Sequence, residues 1–202
     1  MRVSSPKREA RHEQLLTAAL RVFSRDGFDG ASVADIADEA GVAKGSIYLY
    51  FDSKDALAGD LVQHVFTQDE RNSRPGTVEK PLQHIVTFCE QQEERILALG
   101  EFSAIVLHMW GQAGKSASSP IARGVRQIAN ESAFYIETLL ESAQKAGEIP
   151  RAARPGATAR TLLALCHGLI QHRITFDKSA PAAAESCGDA VRTYLRGIGA
   201  RV

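Results

Sequence analysis

Between Lys44 and Tyr50 the run K-G-S-I-Y-L-Y places a cation, a position without a side chain, a hydroxyl and two phenols within about two helical turns. With Ile47 turned inward, Lys44, Gly45, Ser46, Tyr48 and Tyr50 face outward together, and no carboxylate stands among them. That set suits the major groove of DNA. Phosphates accept hydrogen bonds from Lys and Tyr, and base edges meet the exposed tip.

Other chemistries find less support. His64, His84, His108, His167 and His172 contain no i, i+4 pair, and His167 and His172 fall on different faces of one helix, so no metal site is expected. The cysteines are Cys89, Cys166 and Cys187, an odd number with no CxxC spacing, which supplies neither a zinc site nor a disulfide framework. A reducing cytoplasm is the simplest compartment for them. Cys166 and His167 are sequence neighbours, but adjacent residues diverge on a helix, so Cys166 reads as a buried structural thiol. No Ser, Cys or His stands in a recognisable nucleophile setting. The expectation is a protein that is not an enzyme and carries no cofactor. The first 14 residues are polar, and no apolar run approaches the length of a membrane span, so neither a signal peptide nor a membrane segment is expected.

The chain has 202 residues, 44% of them hydrophobic, enough to bury a sizeable core. Its formal net charge is zero, with 24 basic and 24 acidic residues. The placement of charge matters more than the sum. Arg2, Lys7, Arg8 and Arg11 crowd the start, and Lys44 and Lys54 flank the outward-facing run. Such modest electrostatics predict weak non-specific binding to DNA and a reliance on base contacts and dimerisation.

The elements that must hold this run are helical. Residues 1–6 form a short arm. A helix over Lys7 to Asp26 turns Leu15, Leu16, Ala19, Leu20 and Phe23 inward, and Gly27 stops it. Ser32 is a good N-cap for the next helix, with Asp35 in the third position of a capping box. Val33, Ile36, Ala37 and Ala40 recur at helical spacing, Gly41 ends the helix, and Val42, Ile47 and Phe51 carry the buried face through a second motif helix. Ser53 caps a fourth helix from Lys54 to about Arg71, with Leu57, Leu61, Val65 and Phe66 inward. A break at 72–77 precedes helices over about Val78 to Leu99, Glu101 to Trp110, Ile121 to Ala146, Ala157 to Phe176 and Ala182 to Ile198. A turn at 177–181 joins the last two. Between Ala157 and Phe176, one apolar stripe holds Leu162, Leu165, Cys166 and Leu169 and another holds Leu163, His167, Ile170 and Ile174, which predicts burial on two sides. The class is all-α, about nine helices, with no strand pattern.

The residues from Ala40 to Leu57 closely resemble the DNA-binding signature of the TetR family of bacterial transcriptional regulators, above all Tyr48-x-Tyr50-Phe51-x-x-Lys54. The likeness reaches back through Thr17-Ala18-Ala19 and Phe23 to Phe28. It implies that residues 1–53 form the helix-turn-helix domain and 54–202 a ligand-binding and dimerisation domain, bridged by the fourth helix. Carried over by position, Lys44, Gly45 and Tyr48 reach base edges or adjacent backbone, and Ser32, Ser46, Tyr50 and Lys54 contact phosphates. Two positions depart from the family pattern. Ala43 stands where Ser is frequent, which removes a cap and a phosphate hydroxyl. Leu49 stands where an aromatic or polar residue is common, and could pack on a thymine methyl or simply on sugar.

The resemblance also favours a cavity in the C-terminal bundle over a plain filled core, because His108 and His167 interrupt apolar helices and buried polar groups need partners. Phe66, Phe88, Phe102, Met109, Trp110, Phe134 and His167 are its expected lining, and a small apolar or amphipathic effector its expected occupant. The last two helices are expected to form a homodimer through Leu165, Gly168, Leu169, Val191, Tyr194 and Leu195. The function that follows is a dimeric, cytoplasmic repressor on a palindromic double-stranded operator, released by its effector. The alternative is a DNA-bound scaffold whose C-terminal bundle docks a protein partner, with no small effector.

Overall fold

The computed structural model describes residues 6–67, 78–114, 116, 118–176 and 186–201. Most of the expected arm at 1–6, the break at 72–77, the turn at 177–181 and the expected start of the last helix at 182–185 lie outside these residues, as does the side chain of Phe66. Among the described residues there are nine α-helices and no strand. They are α1 (Pro6–Gly30), α2 (Val33–Glu39), α3 (Lys44–Ile47), α4 (Lys54–Thr67), α5 (Pro81–Ala98), α6 (Ser103–Gln112), α7 (Pro120–Lys145), α8 (Pro155–Phe176) and α9 (Cys187–Gly197). A short 3-10 turn, Gly100–Phe102, leads into α6. No described helix is long and apolar enough to cross a membrane.

The chain forms two compact units, one of residues 1–68 and 104–127, the other of 69–103 and 128–202. They cut the chain differently from the expected division at residues 53 and 54. The reason lies in α4, whose Leu57, Ala58, Leu61 and Val62 are buried and which packs on α1 within the first unit.

In the first unit, α1 buries Leu15, Leu16, Ala19, Val22 and Phe23 at helical spacing. Gly27 then breaks it at a positive φ of 74°, a conformation that favours glycine. Phe28 returns to the core, its ring 5.3 Å from that of Phe23. The capping box of α2 is complete: Asp35 N–H donates to Ser32 Oγ at 3.2 Å, and Ser32 N–H to the Asp35 carboxylate at 2.9 Å. Hydrogen bonding to its carboxylate, from the Ser32 hydroxyl first and the Ser32 amide second, holds Asp35 below its usual pKa. Gly41 closes α2 at φ 66°, and Val42 N–H reaches back to Ala37 O at 2.9 Å. The second motif helix is shorter than expected. It spans only Lys44–Ile47, starts at Ala43 without a side-chain cap, and beyond Ile47 passes into turns closed by bonds from Tyr50 N–H and Phe51 N–H to Ile47 O at 2.9 and 3.0 Å. Phe51 is core, as its spacing requires.

The second unit packs α5, α8 and α9 together. Ile85, Val86, Phe88, Cys89 and Ile96 meet a core that includes Leu162, Cys166 and Ile170 of α8 and Val191 and Leu195 of α9. The expected two stripes of α8 merge into one buried face, Thr158, Ala159, Leu162, Cys166 and Ile170, flanked by half-buried Leu163, Leu165, His167 and Leu169. Near the core's edge lies a charge that nothing in the sequence periodicity announces. Glu93 on α5 is buried, pairs with Arg173 near the end of α8, and accepts a hydrogen bond at 2.9 Å from Cys187 N–H at the start of α9. The carboxylate thereby satisfies a free amide at a helix N-terminus, where negative charge is favoured.

Candidate nucleic-acid interface

The capped α2 and the tight turn at Gly41 fix α3 with Ile47 inward and the outward run in solvent. Lys44 and Gly45 are exposed, Ser46 is half-buried, and Tyr48 is 49% and Leu49 72% exposed. A Cβ built at Gly45 meets nothing within 4 Å, so that position is open to an approaching surface. Tyr50 is half-buried. The Arg8 guanidinium lies 5.2 Å from its ring centroid, and the His12 ring 6.5 Å from it. The exposed tip therefore consists of Lys44, Gly45, Tyr48 and Leu49, with Tyr50 and Arg8 stacked at its edge.

One acidic residue of α2, Glu39, is neutralised away from the tip. Glu39 pairs with Arg21 at 3.5 Å and with Arg25 at 3.4 Å, and Arg25 also holds Asp26 at 2.9 Å. Lys44 forms no ion pair with any described residue, so its charge is available to a phosphate or a guanine edge.

Lys54 corrects an expectation. Its Nζ donates to Phe28 O at 2.7 Å and to Ala31 O at 2.8 Å, and sits 4.6 Å from the Phe28 ring centroid. Two of its three N–H bonds are committed to main-chain carbonyls that follow the break at Gly27, one in the last turn of α1 and one just beyond it. Lys54 clamps the domain rather than facing outward to a phosphate. Ser32 is exposed, and its hydroxyl oxygen serves as the α2 cap. His12, which carries no motif in the sequence, joins three elements: its ring is 5.0 Å from that of Phe51, and its Nε2 is 3.3 Å from Asp60 on α4. Gln14 adds a bond from Nε2 to Ala40 O at 2.8 Å, capping the end of α2.

The residues expected to line a cavity are distributed over both units. In the first, Met109 is buried and Trp110 half-buried on α6. In the second, Phe88 is buried against Tyr135, ring centroids 5.0 Å apart, and Phe102 and His167 are half-buried. Phe134 is 69% exposed, because the buried stripe of α7 runs through Ser132, Ile136, Leu139 and Leu140 and leaves position 134 on the far side. His108 does not interrupt a buried face either. It is exposed and bonded to Gln112 of its own helix at 2.8 Å. Burial pushes the pKa of His167 down, and that of His64 on α4 as well.

Of the expected interface residues, Val191 and Leu195 are completely buried within the single chain, so they offer no surface to a second copy. Leu165, Leu169 and Tyr194 are half-buried, and Gly168 is exposed with open space above it. The three cysteines are buried. The Cys187 thiol donates to Cys166 O at 3.7 Å and is pushed well above the usual thiol range by its contact with the Cys166 side chain and by burial. A thiol so held is neutral and a poor nucleophile.

Residues 15–61 match the profile of the bacterial regulatory proteins of the tetR family. An uncharacterised HTH-type transcriptional regulator of Bacillus subtilis, YvdT, is 44% identical over 57 residues, which are 28% of this chain and 29% of that one. The chain thus spans less than a third of that relative's length. The HTH-type regulator UidR of Escherichia coli is 25% identical over 161 residues, 78% of each chain. FadR from Bacillus subtilis, solved in complex with stearoyl-CoA, superposes with a TM-score of 0.71 at 19% identity, covering 92% of this chain and 96% of that one. That likeness is one of fold.

Proposed function

We propose, from the premise that the chain belongs to the TetR family of bacterial transcriptional regulators and binds DNA through a helix-turn-helix, that it works as a homodimeric repressor released from its operator by a small apolar or amphipathic effector. One observation carries the DNA-binding part: Lys44, which pairs with none of the described residues, the open Gly45 and the exposed Tyr48 and Leu49 stand together on and just after α3, which follows a helix held by a full capping box and a glycine stop. Lys44, Gly45 and Tyr48 read base edges, with Leu49 against a thymine methyl, while Ser46 and Tyr50 contact phosphates. The work is divided near residues 53 and 54, with DNA contact before and effector binding and dimerisation after.

The effector part rests on the half-buried Phe102 and His167 and on Phe88 of the second unit, and on a regulator of the same fold that holds a long-chain acyl ligand. Dimerisation is assigned to Leu165, Gly168, Leu169 and Tyr194. The open space above Gly168 lets a two-fold mate of α8 approach closely. Two such chains present two α3 helices, which suits half-sites about 34 Å apart. Selection from random duplexes followed by gel shift tests the proposal. It is expected to enrich a palindrome bound by two chains; failure to enrich any sequence overturns it. The exposed aromatics Phe134 and Phe176 of the second unit, 69% and 72% exposed, favour a second reading in which that unit docks a protein partner. Operator release by acyl compounds in the purified system excludes the need for one.

A further inference from the structure

The first two turns of α1 carry three cations on one side. At about 100° of rotation per residue, Lys7, Arg8 and Arg11 fall within about 100° of one another, while Glu9 and Glu13 lie together further round the helix. All five are exposed. Arg8 and Arg11 pair with no carboxylate among the described residues. Asp60 of α4, which approaches this part of α1, faces His12 instead, 3.3 Å from its Nε2. Each arginine is held against one flank of α3. The Arg8 guanidinium lies 5.2 Å from the centroid of the Tyr50 ring, in the turn that follows α3. Arg11 Nη1 donates to Gln14 Oε1 at 3.0 Å, and Gln14 Nε2 donates to Ala40 O at 2.8 Å, in the turn that precedes α3.

A guanidinium attracted to a ring face keeps its planar fork of N–H donors for a second partner. Arg8 therefore holds donors in the same patch as the Tyr50 phenol, and Arg11 spends one N–H on Gln14 and retains the others. Long side chains tethered in this way lose less freedom when an anion arrives. We propose that Arg8 and Arg11 of α1 form a second row of phosphate contacts, which brackets α3 on the DNA backbone from outside the helix-turn-helix itself. The inference rests on the reading of a regulator whose α3 enters the major groove, and adds to it the residues that supply affinity common to all sequences. Contacts to phosphates position a protein on the duplex and carry no base information, so the row strengthens binding to every duplex and leaves the choice among them to α3. It gives a chain of zero formal net charge a local attraction for a polyanion.

The test is a full-length protein carrying Arg8→Gln and Arg11→Gln together, titrated against the selected operator and a scrambled duplex from about 50 to 200 mM salt. The plot of log affinity against log salt is expected to become shallower by about two for each chain bound, with about tenfold weaker binding to both duplexes. The ratio between the two duplexes is expected to stay within about twofold of wild type. Arg8→Lys with Arg11→Lys keeps the charge and loses the fork, so the slope should remain within about half a unit of wild type while both affinities fall about threefold. Arg160→Ala, at an exposed position of α8 in the second unit, is expected to change neither slope nor affinity. A wild-type slope in the folded glutamine variant overturns the row, and so does a loss confined to the operator, or a lysine variant whose slope falls as far as that of the glutamine one. Wild-type protein that selects an operator keeps the reading in each of these cases; wild-type protein that prefers no duplex overturns the reading as well. Should the double variant unfold, Arg8→Gln and Arg11→Gln made singly, each expected to take about half of the slope change, decide.

Discussion

The two units treat charge in opposite ways. In the first, the ion pairs lie at the surface: Arg21 and Arg25 meet Glu39 on the solvent side of α1 and α2, and Lys44 at the tip pairs with none of the described residues. In the second, Glu93 is buried and serves Arg173 and the first amide of α9 together, while Glu90 and Asp189 grip Arg192 nearby. Surface pairs contribute little stability and leave charge available for a partner. A buried carboxylate fixes the ends of two helices and leaves nothing for a ligand. The first unit is therefore where substitutions should change binding without unfolding, and the second where they should unfold the chain without altering specificity.

The sharpest break of this comparison is Glu93→Ala. It removes a buried carboxylate that pairs with Arg173 and accepts from the Cys187 amide, and an expected loss of about 3 kcal/mol is measurable by urea denaturation, with operator preference unchanged in the surviving folded fraction. Next comes Lys54→Ala, which sits in the first unit but should behave as a residue of the second kind. Losing two bonds from a charged donor is expected to cost about 2 kcal/mol of stability and to leave the salt dependence of DNA binding unaltered, because the ammonium is committed to Phe28 and Ala31. A flattened salt slope in a fully folded Lys54→Ala protein would return this residue to the phosphates.

Ser32→Ala removes the cap of α2. About 1 kcal/mol of stability should go, read as a lowered melting temperature, with a smaller effect on affinity through the position of α3. The smallest effect spans both units. His64 and His167 are held neutral by burial, with folded pKa values below the ordinary 6.5. The unfolded chain takes up protons first as pH falls, so stability is full above about pH 6.5 and declines below it until the folded values are passed. Melting temperatures at pH 7.5 and 5.5 should show the decline, and His167→Gln should lessen it.

What was legible in the sequence follows the same division. Around α2 the jobs are local: a serine three residues before an aspartate makes the capping box, a glycine makes the stop, and the spacing from Val33 to Ile47 decides which side is buried. Those were readable because each acts within a turn or two of the chain. The clamp of Lys54 is not legible because its partners lie 26 and 23 residues away, and a cation at a helix start looks outward until its bonds to Phe28 O and Ala31 O are seen. Glu93 could not be found from periodicity, since its partners lie 80 and 94 residues on. The apolar stripe of Val191 and Leu195 points to a dimer interface, but an apolar stripe does not say whether its own chain or a second one covers it.

The account stands on α3 reading bases, and Tyr48 is its most exposed aromatic contact. Fluorescence anisotropy with the selected operator and with a scrambled duplex, on wild type and on Tyr48→Ala, tests this directly. The expected result is a loss of about tenfold or more on the operator, or about 1.4 kcal/mol, with the scrambled duplex and the melting temperature nearly unchanged. Equal operator affinity for the two proteins would contradict it, and the DNA-binding face would have to be sought elsewhere on the first unit.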